Sequence, residues 1–288
     1  MTALATTFAN DVLDLDGARA AFERDGFLIV PNALDAAQVR ELDTAFKNHL
    51  DKHPEDWAHF SASFITAPDV LPRTEAFDLV IENPRMFPLL ERLIGPDLAL
   101  EELAIMQRKP SDDVGELKGW HRDIIRAFER RHEIDVISVV YYLTDVTERD
   151  HCFSIVPGTH GPRVDMHPQD VRPGMEFDAI GAAGSAFVFH ARCIHAGKLK
   201  LGSCERRTIH LYFGHAAAPR TSEWTEIPTR LAARKDPHLP SQLYAKALMK
   251  ETVDGVGRRP RGLPPGTSTA EQLIHVQRAA NPKIRAMT

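Results

Sequence analysis

Residues 184–215 read GSAFVFHARCIHAGKLKLGSCERRTIHLYFGH and contain two apolar runs rich in Phe, Val, Ile and Tyr. Short runs of β-branched and aromatic residues, bounded by polar residues and glycine, are typical of β-strands. The stretch therefore predicts two β-rich segments, 184–197 and 206–215, joined by a polar loop. Each segment also carries histidine in a mostly apolar setting, at His190 and His195 in the first and at His210 in the second.

Other runs with strand character precede this stretch. They are residues 98–110 (LALEELAIMQRKP), 120–125 (WHRDII), 135–146 (DVISVVYYLTDV) and 152–160 (CFSIVPGTH), and charged or glycine-containing loops separate them. Many short strands in the middle of a chain, with helices before them, are typical of a β-sandwich or jelly roll flanked by helices.

The residues before the β-rich region show mainly helical periodicity. The sequence predicts a helix over 15–26 that stops at Gly26, a helix over 34–50 with Asp35 as its N-cap, and a short helix over 82–95. Between the first two helices, residues 27–31 (FLIVP) predict a short strand. Residues 51–75 lack clean periodicity and are predicted to form a loop.

Length and composition are ordinary for a soluble globular protein. The 288 residues are 43% hydrophobic and 26% charged, with a formal net charge of −5 that argues against a general nucleic-acid binder. No apolar run is long enough to span a membrane, and the N-terminus lacks a signal-peptide pattern, so we expect a cytoplasmic protein. Three cysteines (Cys152, Cys193 and Cys204) form neither a disulfide framework nor a zinc-ribbon pattern.

The tetrapeptide WHRD at 120–123 predicts part of a metal site. On a strand, alternate residues point to the same face, so His121 and Asp123 project together while Arg122 points away. One further histidine would complete a set of two imidazoles and one carboxylate, which suits Fe(II) and leaves coordination positions open. A His-x-Asp pair on its own is a weak signal, because such tripeptides arise by chance.

The third ligand is expected in the segment 184–197. If its strand is continuous, His190 and His195 lie on opposite faces, so at most one of them joins the pair. His195 is followed by Ala196 and Gly197, small residues that suit a chain leaving a metal site. Arg206 lies eleven residues further on, at the start of the next β-rich run, where its guanidinium could bind a carboxylate bidentately.

Several blocks in order give the chain a resemblance to the phytanoyl-CoA dioxygenase family of Fe(II)- and 2-oxoglutarate-dependent oxygenases. The blocks cover most of the chain, and Asp150 with His151 depart from the family's usual Asn-Gly, as does the lack of Asn after the HAG of 195–197. The matching blocks are FERDGFLIVPNALDAAQVREL (22–42), MQRKP (106–110), WHRD (120–123), DHCFSIVPGTHGP (150–162), HAG (195–197) and RRTI (206–209).

The resemblance implies a single oxygenase domain over 1–288 with a mainly β fold, a double-stranded β-helix (a cupin-like jelly roll) with flanking helices. Within it, residues 1–97 are expected to form a mainly helical N-terminal flank, 98–215 the jelly-roll core and 216–288 a C-terminal extension. Its expected cofactors are Fe(II), the co-substrate 2-oxoglutarate and O2.

The resemblance also implies roles for individual residues. The metal ligands and catalytic residues are His121, Asp123 and His195. Arg206 is expected to bind the distal carboxylate of 2-oxoglutarate, with Arg207 as the alternative on the opposite face of the strand. Gln107 and Thr159 are expected to make polar contacts to the co-substrate. Tyr142 is placed either in the pocket or in the core, and His190, His160 and His210 are interpreted as structural or pocket-lining residues.

The reaction implied is hydroxylation, or another oxidation, of a small-molecule or secondary-metabolite substrate, with release of succinate and CO2. Because Asp123 fills the coordination position that related halogenases leave to chloride, hydroxylation is favoured over halogenation. Two alternatives stay open: a zinc hydrolase, in which Arg206 has no obvious role, and a catalytically silent metabolite-binding protein. The expected partner is a small molecule, without nucleic acid or membrane, and a homodimer is compatible with the sequence.

Substrate contacts are expected from irregular segments and from the C-terminal segment. The irregular segments are residues 51–82, 111–118 and 124–136. Arg126, Arg130 and Arg131 could receive an anionic substrate, although a solvated charged loop is the simpler interpretation, and Ser61, Ser63 and Thr66 could bind a polar one.

Overall fold

The computed structural model describes residues 14–111, 115–116, 119–123, 136–161, 164–201, 204–248, 252–257 and 263–280. Within these ranges the helices are α1 (Leu15–Asp25), α2 (Ala36–Lys52), α3 (Asp78–Ile81), α4 (Phe87–Ile94), α5 (Thr229–Ala232) and α6 (Thr269–Ala280). The strands are β1 (Phe27–Val30), β2 (Ala58–Ser61), β3 (Phe64–Ala67), β4 (Leu98–Arg108), β5 (Gly115–Glu116), β6 (Val136–Tyr142), β7 (Cys152–Ile155), β8 (Phe177–Ala179), β9 (Ala186–His190), β10 (His195–Leu199), β11 (Arg206–His215), β12 (Arg220–Ser222) and β13 (Thr252–Gly257).

The described strands form two facing antiparallel sheets. The larger sheet has the order β1-β9-β6-β11-β4-β3-β2, and the smaller has the order β5-β10-β7-β8. β12 pairs with β13 in a separate parallel ribbon. Sheets of sequence-distant strands that face one another across a shared interior form the expected jelly roll with flanking helices. β1, β2 and β3, which precede residue 98, belong to the larger sheet.

The larger sheet is buried on both faces, which explains its unusually apolar strands. In β6, Val139 and Tyr141 belong to the hydrophobic core that packs against the helices. Val140 and Tyr142 belong to a second core between the two sheets. All seven residues of β6 are buried, so the strand reads as a continuous apolar run rather than as an alternation.

The N-terminal helices confirm the sequence prediction, and their caps show why. α1 ends at Gly26, whose φ of 81° is a left-handed conformation that glycine adopts without steric cost. α2 begins after Asp35, whose side chain accepts hydrogen bonds from the backbone N–H of Ala37 and Gln38. The Gln38 side chain in turn accepts from the Asp35 backbone, which completes a capping box.

The prediction of a loop over 51–75 was wrong. Two strands of four residues, β2 and β3, lie in this region, and β3 pairs with β4 across Phe64–Arg108 to Ala67–Ile105. Strands this short carry too few residues for a two-residue period to show, so their pairing partner decides their structure.

Two other β predictions need correction. Residues 184–197 do not form one continuous strand: β9 ends at His190 and β10 begins at His195, so the parity argument for the two histidines does not apply. In the described part of 120–125, the backbone makes a single bridge between His121 and His195 rather than a regular strand.

The C-terminal extension returns across the larger sheet. The backbone N–H of Leu100 in β4 donates to the carbonyl of Leu243 at 2.9 Å. α6 packs against β2, and Leu273 joins a small core with Phe60, Phe64 and Trp224. No helix in the described ranges combines the length and apolar character needed to cross a bilayer.

Candidate functional site

Two chain segments meet at the open end of the jelly roll and are joined through their backbones. The N–H of His121 donates to the carbonyl of His195 at 3.0 Å, and the N–H of His195 donates to the carbonyl of His121 at 2.9 Å. Two residues further on, the N–H of Asp123 donates to the carbonyl of Ala191 at 3.1 Å. This pairing brings a histidine at the start of β10 next to the WHRD segment.

His121, Asp123 and His195 thereby form a compact cluster of possible ligands. Nε2 of His121 lies 3.7 Å from Oδ1 of Asp123, and Nε2 of His195 lies 3.4 Å from the same oxygen. Two ligand atoms that are each about 2.1 Å from a shared ion are at most about 4.2 Å apart. Both separations are short enough for one ion, and all three ligand atoms lie within 4.8 Å of one another.

The hydrogen bonds of the two imidazoles leave Nε2 available to a metal. Nδ1 of His121 lies 3.0 Å from the carbonyl oxygen of Gly119, and Nδ1 of His195 lies 2.9 Å from that of Cys193. A carbonyl oxygen only accepts, so each Nδ1 carries the proton in a neutral ring and each Nε2 carries the lone pair. Such outer hydrogen bonds fix both the tautomer and the orientation of metal-binding histidines.

Asp123 is held in the same way by Tyr212 on β11. The Tyr212 hydroxyl donates to Oδ2 of Asp123 at 2.8 Å, which leaves Oδ1 facing the two imidazoles. Burial by itself raises the pKa of Asp123, but the His195 and His121 rings and the Tyr212 hydroxyl outweigh it. The pKa of Asp123 therefore lies well below its ordinary value, and the side chain is a carboxylate that can bind a cation.

His195 is also fixed by the aromatic core between the sheets. Its ring stacks on Phe153 with the centroids 4.8 Å apart, and Phe189 lies 5.0 Å away in a tilted arrangement. The residue is 2% exposed. Because packed rings and a backbone hydrogen bond both restrain it, the imidazole has one orientation.

Arg122 lies between the two clustered residues in sequence and points away from them, as predicted. Its guanidinium donates to the carbonyl oxygens of Thr159 and Arg192, and at 3.0 Å to that of Met166. It therefore ties the WHRD segment to the turn before β10 and to the loop after β7. We interpret Arg122 as the residue that holds the two ligand-bearing segments together.

Arg122→Met should weaken divalent metal binding by about 10- to 100-fold, the usual cost of losing a residue that orients metal ligands. Methionine keeps much of the length of the side chain but donates no hydrogen bonds, so the segments lose their alignment. The measurement is the Kd for Co(II) by titration calorimetry, together with Tm. Arg40→Met, a change at an exposed position of α2, is the control, and an unchanged Kd in Arg122→Met would refute this role.

Arg206 occupies the same face of β11 as Tyr212, because positions 206, 208, 210 and 212 alternate with the helix-facing ones. Its guanidinium donates to the carbonyl of His151 at 3.1 Å and lies near Tyr142 and Cys152. Cys152 pairs with Lys198, three residues beyond His195, which is about 10 Å along β10. Arg206 therefore contacts the residue just before β7, the strand that pairs with β10.

Arg207 faces the other side of the sheet. Its Nε donates to Oδ1 of Asp43 in α2 at 2.6 Å, and it also pairs with Glu205. Gln107 pairs in register with Arg207 and with Ile65, so its side chain shares this helix-facing side. The structure therefore does not bring Gln107 to the cluster, contrary to the prediction, since the neighbouring residue of β4, Met106, is the one that faces inward.

Thr159 is not directed at a co-substrate either. Its hydroxyl donates to the carbonyl of Val156 at 2.7 Å and accepts from the N–H of Ile194 at 2.9 Å. These bonds hold the turn immediately before His195. Thr159 thus stabilises the backbone next to the site. The sequence motif could not predict this, because a motif does not show which groups the hydroxyl contacts.

The remaining histidines lie away from the cluster. His190 packs near Phe22 and His160, with ring centroids 6.3 and 5.3 Å away, at the N-terminal side of the fold. His210 contacts the Thr208 hydroxyl at 2.9 Å. Tyr142 is buried in the core and donates to the carbonyl of Ala179 at 2.8 Å. The predicted substrate residues Arg126, Arg130 and Arg131 lie outside the described ranges.

A cleft opens beside Asp123 and Tyr212. It is lined by residues of the hairpin of β2 and β3, by Trp224 and by residues of α6. Residues 51–82 and the C-terminal segment therefore both contribute to the cleft, as predicted. Thr66 reaches it, whereas Ser61 and Ser63 hydrogen-bond to each other.

The sequence prediction missed Tyr212, the role of Arg122 in holding the ligand segments, and the partly buried acid Glu102, which pairs in register with Tyr212 on β4. One signal could have identified Tyr212: it lies six residues after Arg206 and so shares its strand face. No comparable local signal marks the carbonyl partners of Arg122, because the three of them lie 37 to 70 residues away in sequence.

Known proteins resemble this chain in sequence and in fold. The sequence model of the phytanoyl-CoA dioxygenase family matches residues 22–208. No protein of curated function matches the chain in sequence. Proteins of this family use Fe(II), 2-oxoglutarate and O2.

Several solved structures share the fold at low sequence identity. The epimerase SnoN from nogalamycin biosynthesis, in complex with Fe3+, α-ketoglutarate and nogalamycin RO, is 21% identical with a TM-score of 0.59, over 88% of this chain and 96% of that one. HygX from Streptomyces hygroscopicus, with nickel, 2-oxoglutarate and hygromycin B bound, is 17% identical with a TM-score of 0.57, over 73% and 91% of the two chains. The carbocyclase SnoK is 19% identical with a TM-score of 0.56, over 71% and 85%.

Proposed function

This chain belongs to the phytanoyl-CoA dioxygenase family, and from that membership we propose that it is an Fe(II)- and 2-oxoglutarate-dependent oxygenase acting on a small molecule. The observation that carries the proposal is the cluster of His121, Asp123 and His195. The whole chain, residues 1–288, is proposed to act as one oxygenase domain.

The residues of the cluster fit Fe(II). Two neutral imidazoles offering Nε2 and one carboxylate offering Oδ1 form the two-histidine, one-carboxylate set that leaves positions open for further ligands. When bound, Fe(II) with 2-oxoglutarate and O2 supplies the oxidising chemistry, and 2-oxoglutarate leaves as succinate and CO2.

The protein supplies orientation and charge. Tyr212 keeps Oδ1 of Asp123 turned toward the imidazoles, and Arg122 holds the two ligand segments in register. Arg206 is proposed to bind the distal carboxylate of 2-oxoglutarate through charge-assisted hydrogen bonds. The cleft beside Asp123 is proposed to hold the substrate so that its reacting carbon faces the metal.

Hydroxylation is our proposal for the outcome of the reaction. Asp123 supplies a carboxylate at the third ligand position, which disfavours halogenation. Related folds carry out other reactions, since SnoN is an epimerase and SnoK a carbocyclase. Because such enzymes share one fold, the fold alone does not select the product. A zinc hydrolase would use the same three ligands but gives Arg206 no role.

The experiment that tests the proposal is anaerobic titration of Fe(II)-loaded protein with 2-oxoglutarate, followed by the weak visible charge-transfer band of the chelate. We expect the band in the wild-type protein and its absence in His195→Ala. His59→Ala, at an exposed position of β2, is the matched control and should keep the band. Absence of the band in wild-type protein with metal demonstrably bound would reject the oxygenase proposal.

Arg206→Ala should raise the 2-oxoglutarate concentration for half-saturation by about 10- to 100-fold, because one or two charge-assisted hydrogen bonds are lost. The Kd for Fe(II) should change by less than about threefold, since Arg206 makes no contact with the ligands and binding sites this far apart contribute independently. The first constant comes from the anaerobic titration with 2-oxoglutarate, and the second from anaerobic titration of the metal-free protein with Fe(II).

Arg207→Ala provides the matched comparison on the same strand. It removes an ion pair with Asp43 on the helix-facing side and should leave the 2-oxoglutarate requirement unchanged. If Arg207→Ala has the larger effect on half-saturation, the assignment of Arg206 is incorrect.

A further inference from the structure

The cleft beside Asp123 has a strongly aromatic wall. Phe60 and Phe64 stack with their ring centroids 5.4 Å apart, and Trp224 faces the cleft from the C-terminal extension. All three rings are almost fully buried, with 1%, 4% and 3% of their surfaces exposed. The parts of these side chains that reach the cleft give it an apolar lining, which suits an apolar or aromatic body of a ligand.

One acidic side chain reaches the same cleft from β4. Glu102 pairs directly with Tyr212 across the two strands, so the two side chains lie next to each other on the inner face. Its Oε2 accepts a hydrogen bond from the Ser222 hydroxyl. In the part of the chain that the structure describes, its Oε1 accepts no hydrogen bond from the protein, and no Lys, Arg or His side chain forms an ion pair with it.

Charges of both signs lie around Glu102. Asp123 and Glu101 add negative charge, and only Arg220 among the neighbouring groups adds positive charge. Arg220 donates to the carbonyl of Thr225. Burial raises the pKa of Glu102 to about 7. The hydrogen bond from Ser222 opposes this rise, and the charge of Asp123 adds to it. A cation placed beside Glu102 would stabilise its carboxylate and so offset the free-energy cost of burying that charge.

The balance of charge in the cleft is therefore negative. The charged side chains that line it within the described ranges are Glu102 and Asp123. Arg108 lies further along the inner face of β4, where it donates to the Ser63 hydroxyl and covers the Phe64 ring at 5.2 Å. Since Asp123 is committed to the metal and to Tyr212, Glu102 is the acid that remains for a ligand.

We propose that the substrate of this site is an amine whose ammonium group pairs with Glu102 and whose apolar or aromatic body packs on Phe60, Phe64 and Trp224. The inference rests on the proposed function, because it takes the cleft beside Asp123 as the substrate site. A carboxylate or phosphate ester of the same shape is disfavoured by repulsion from the ionised form of Glu102.

The test compares probes that share one body and differ in charge. Protein loaded with Ni(II) and 2-oxoglutarate is titrated with 2-phenylethylamine, 2-phenylethanol and 3-phenylpropanoate, and with the homologous sets that have one methylene fewer and one more. Binding is followed by titration calorimetry. We expect the best amine to bind about 10- to 100-fold more tightly than its alcohol, as one charge-assisted pair provides, and the carboxylate to bind least.

Glu102→Gln tests the residue itself, because glutamine keeps the shape and can still accept from Ser222 but carries no charge. In this variant the amine and the alcohol should bind within about threefold of each other. Glu91→Gln, at an exposed position of α4, is the matched control and should keep the wild-type ratio. If Glu102→Gln does not fold, the ranking of the three probes on wild-type protein still tests whether the site prefers an amine.

The inference is overturned if no amine binds, if the carboxylates bind as tightly as the amines, or if Glu102→Gln keeps the amine preference. The charge-transfer titration separates this failure from that of the proposed function. A band together with no amine preference leaves an oxygenase with another substrate class. If the protein prefers amines through Glu102 but shows no charge-transfer band, the amine-binding site is supported and the oxygenase proposal is rejected.

Discussion

Asp123→Ala should weaken Fe(II) binding by more than about 100-fold and abolish the conversion of 2-oxoglutarate to succinate. Loss of a residue that only orients a metal ligand costs about 10- to 100-fold in affinity, and Asp123 is both the sole carboxylate of the cluster and its link to Tyr212. The measurements are the Fe(II) Kd under anaerobic conditions and succinate release under air.

Asp165→Ala is the matched control, because this carboxylate is fully exposed with 102% of its side-chain surface accessible. It should retain wild-type metal affinity and turnover. Asp123→Ala protein that folds normally, binds Fe(II) as the wild type does and still produces succinate would remove Asp123 from the site. The two imidazoles alone would then have to account for the metal.

Lys246→Met should destabilise the fold by about 3–5 kcal/mol, the usual cost of removing one partner from a buried ion pair. Lys246 and Glu101 are 0% exposed and contact each other directly. The variant leaves the Glu101 carboxylate buried without its cation. Urea-induced unfolding measures the loss, and Lys235→Met, at an exposed position, should change stability by no more than about 0.5 kcal/mol.

The double variant Glu101→Gln with Lys246→Met should recover at least half of the lost stability, because both charges are then removed together. Glutamine can still accept the hydrogen bond that Glu101 receives from the backbone N–H of Thr221. Equal stability of the single and double variants would show that the pair contributes through packing rather than through charge.

The buried pair also bears on the cleft. Glu101 holds the backbone of Thr221, and Glu102 accepts from Ser222, so two consecutive residues of β4 fasten β12 to the sheet. β12 and Trp224 line the cleft together with β3. Loss of Lys246 should therefore loosen substrate binding as well as lowering the free energy of unfolding.

The sequence by itself was enough to predict the helices α1, α2 and α4, the longer strands and the three clustered residues. Caps such as Asp35 and Gly26 depend on residues only a few positions away, and the shared direction of His121 and Asp123 depends on their spacing of two. Such local geometry can therefore be predicted from the local sequence. His195 was identified for a different reason: small residues follow it, and the chain resembles the family. The argument from alternating strand faces did not identify it, because that argument assumed one continuous strand over 184–197, which the fold does not have.

Only the tertiary structure decided which polar groups serve the site. Tyr212 and Asp123 are 89 residues apart, and Lys246 and Glu101 are 145 apart. Contacts over such distances depend on strand register and on packing, which no local pattern encodes. Gln107 shows the consequence: its motif predicted a role at the co-substrate, but the register of β4 against β11 turns it toward the helices and turns Glu102 toward the cleft.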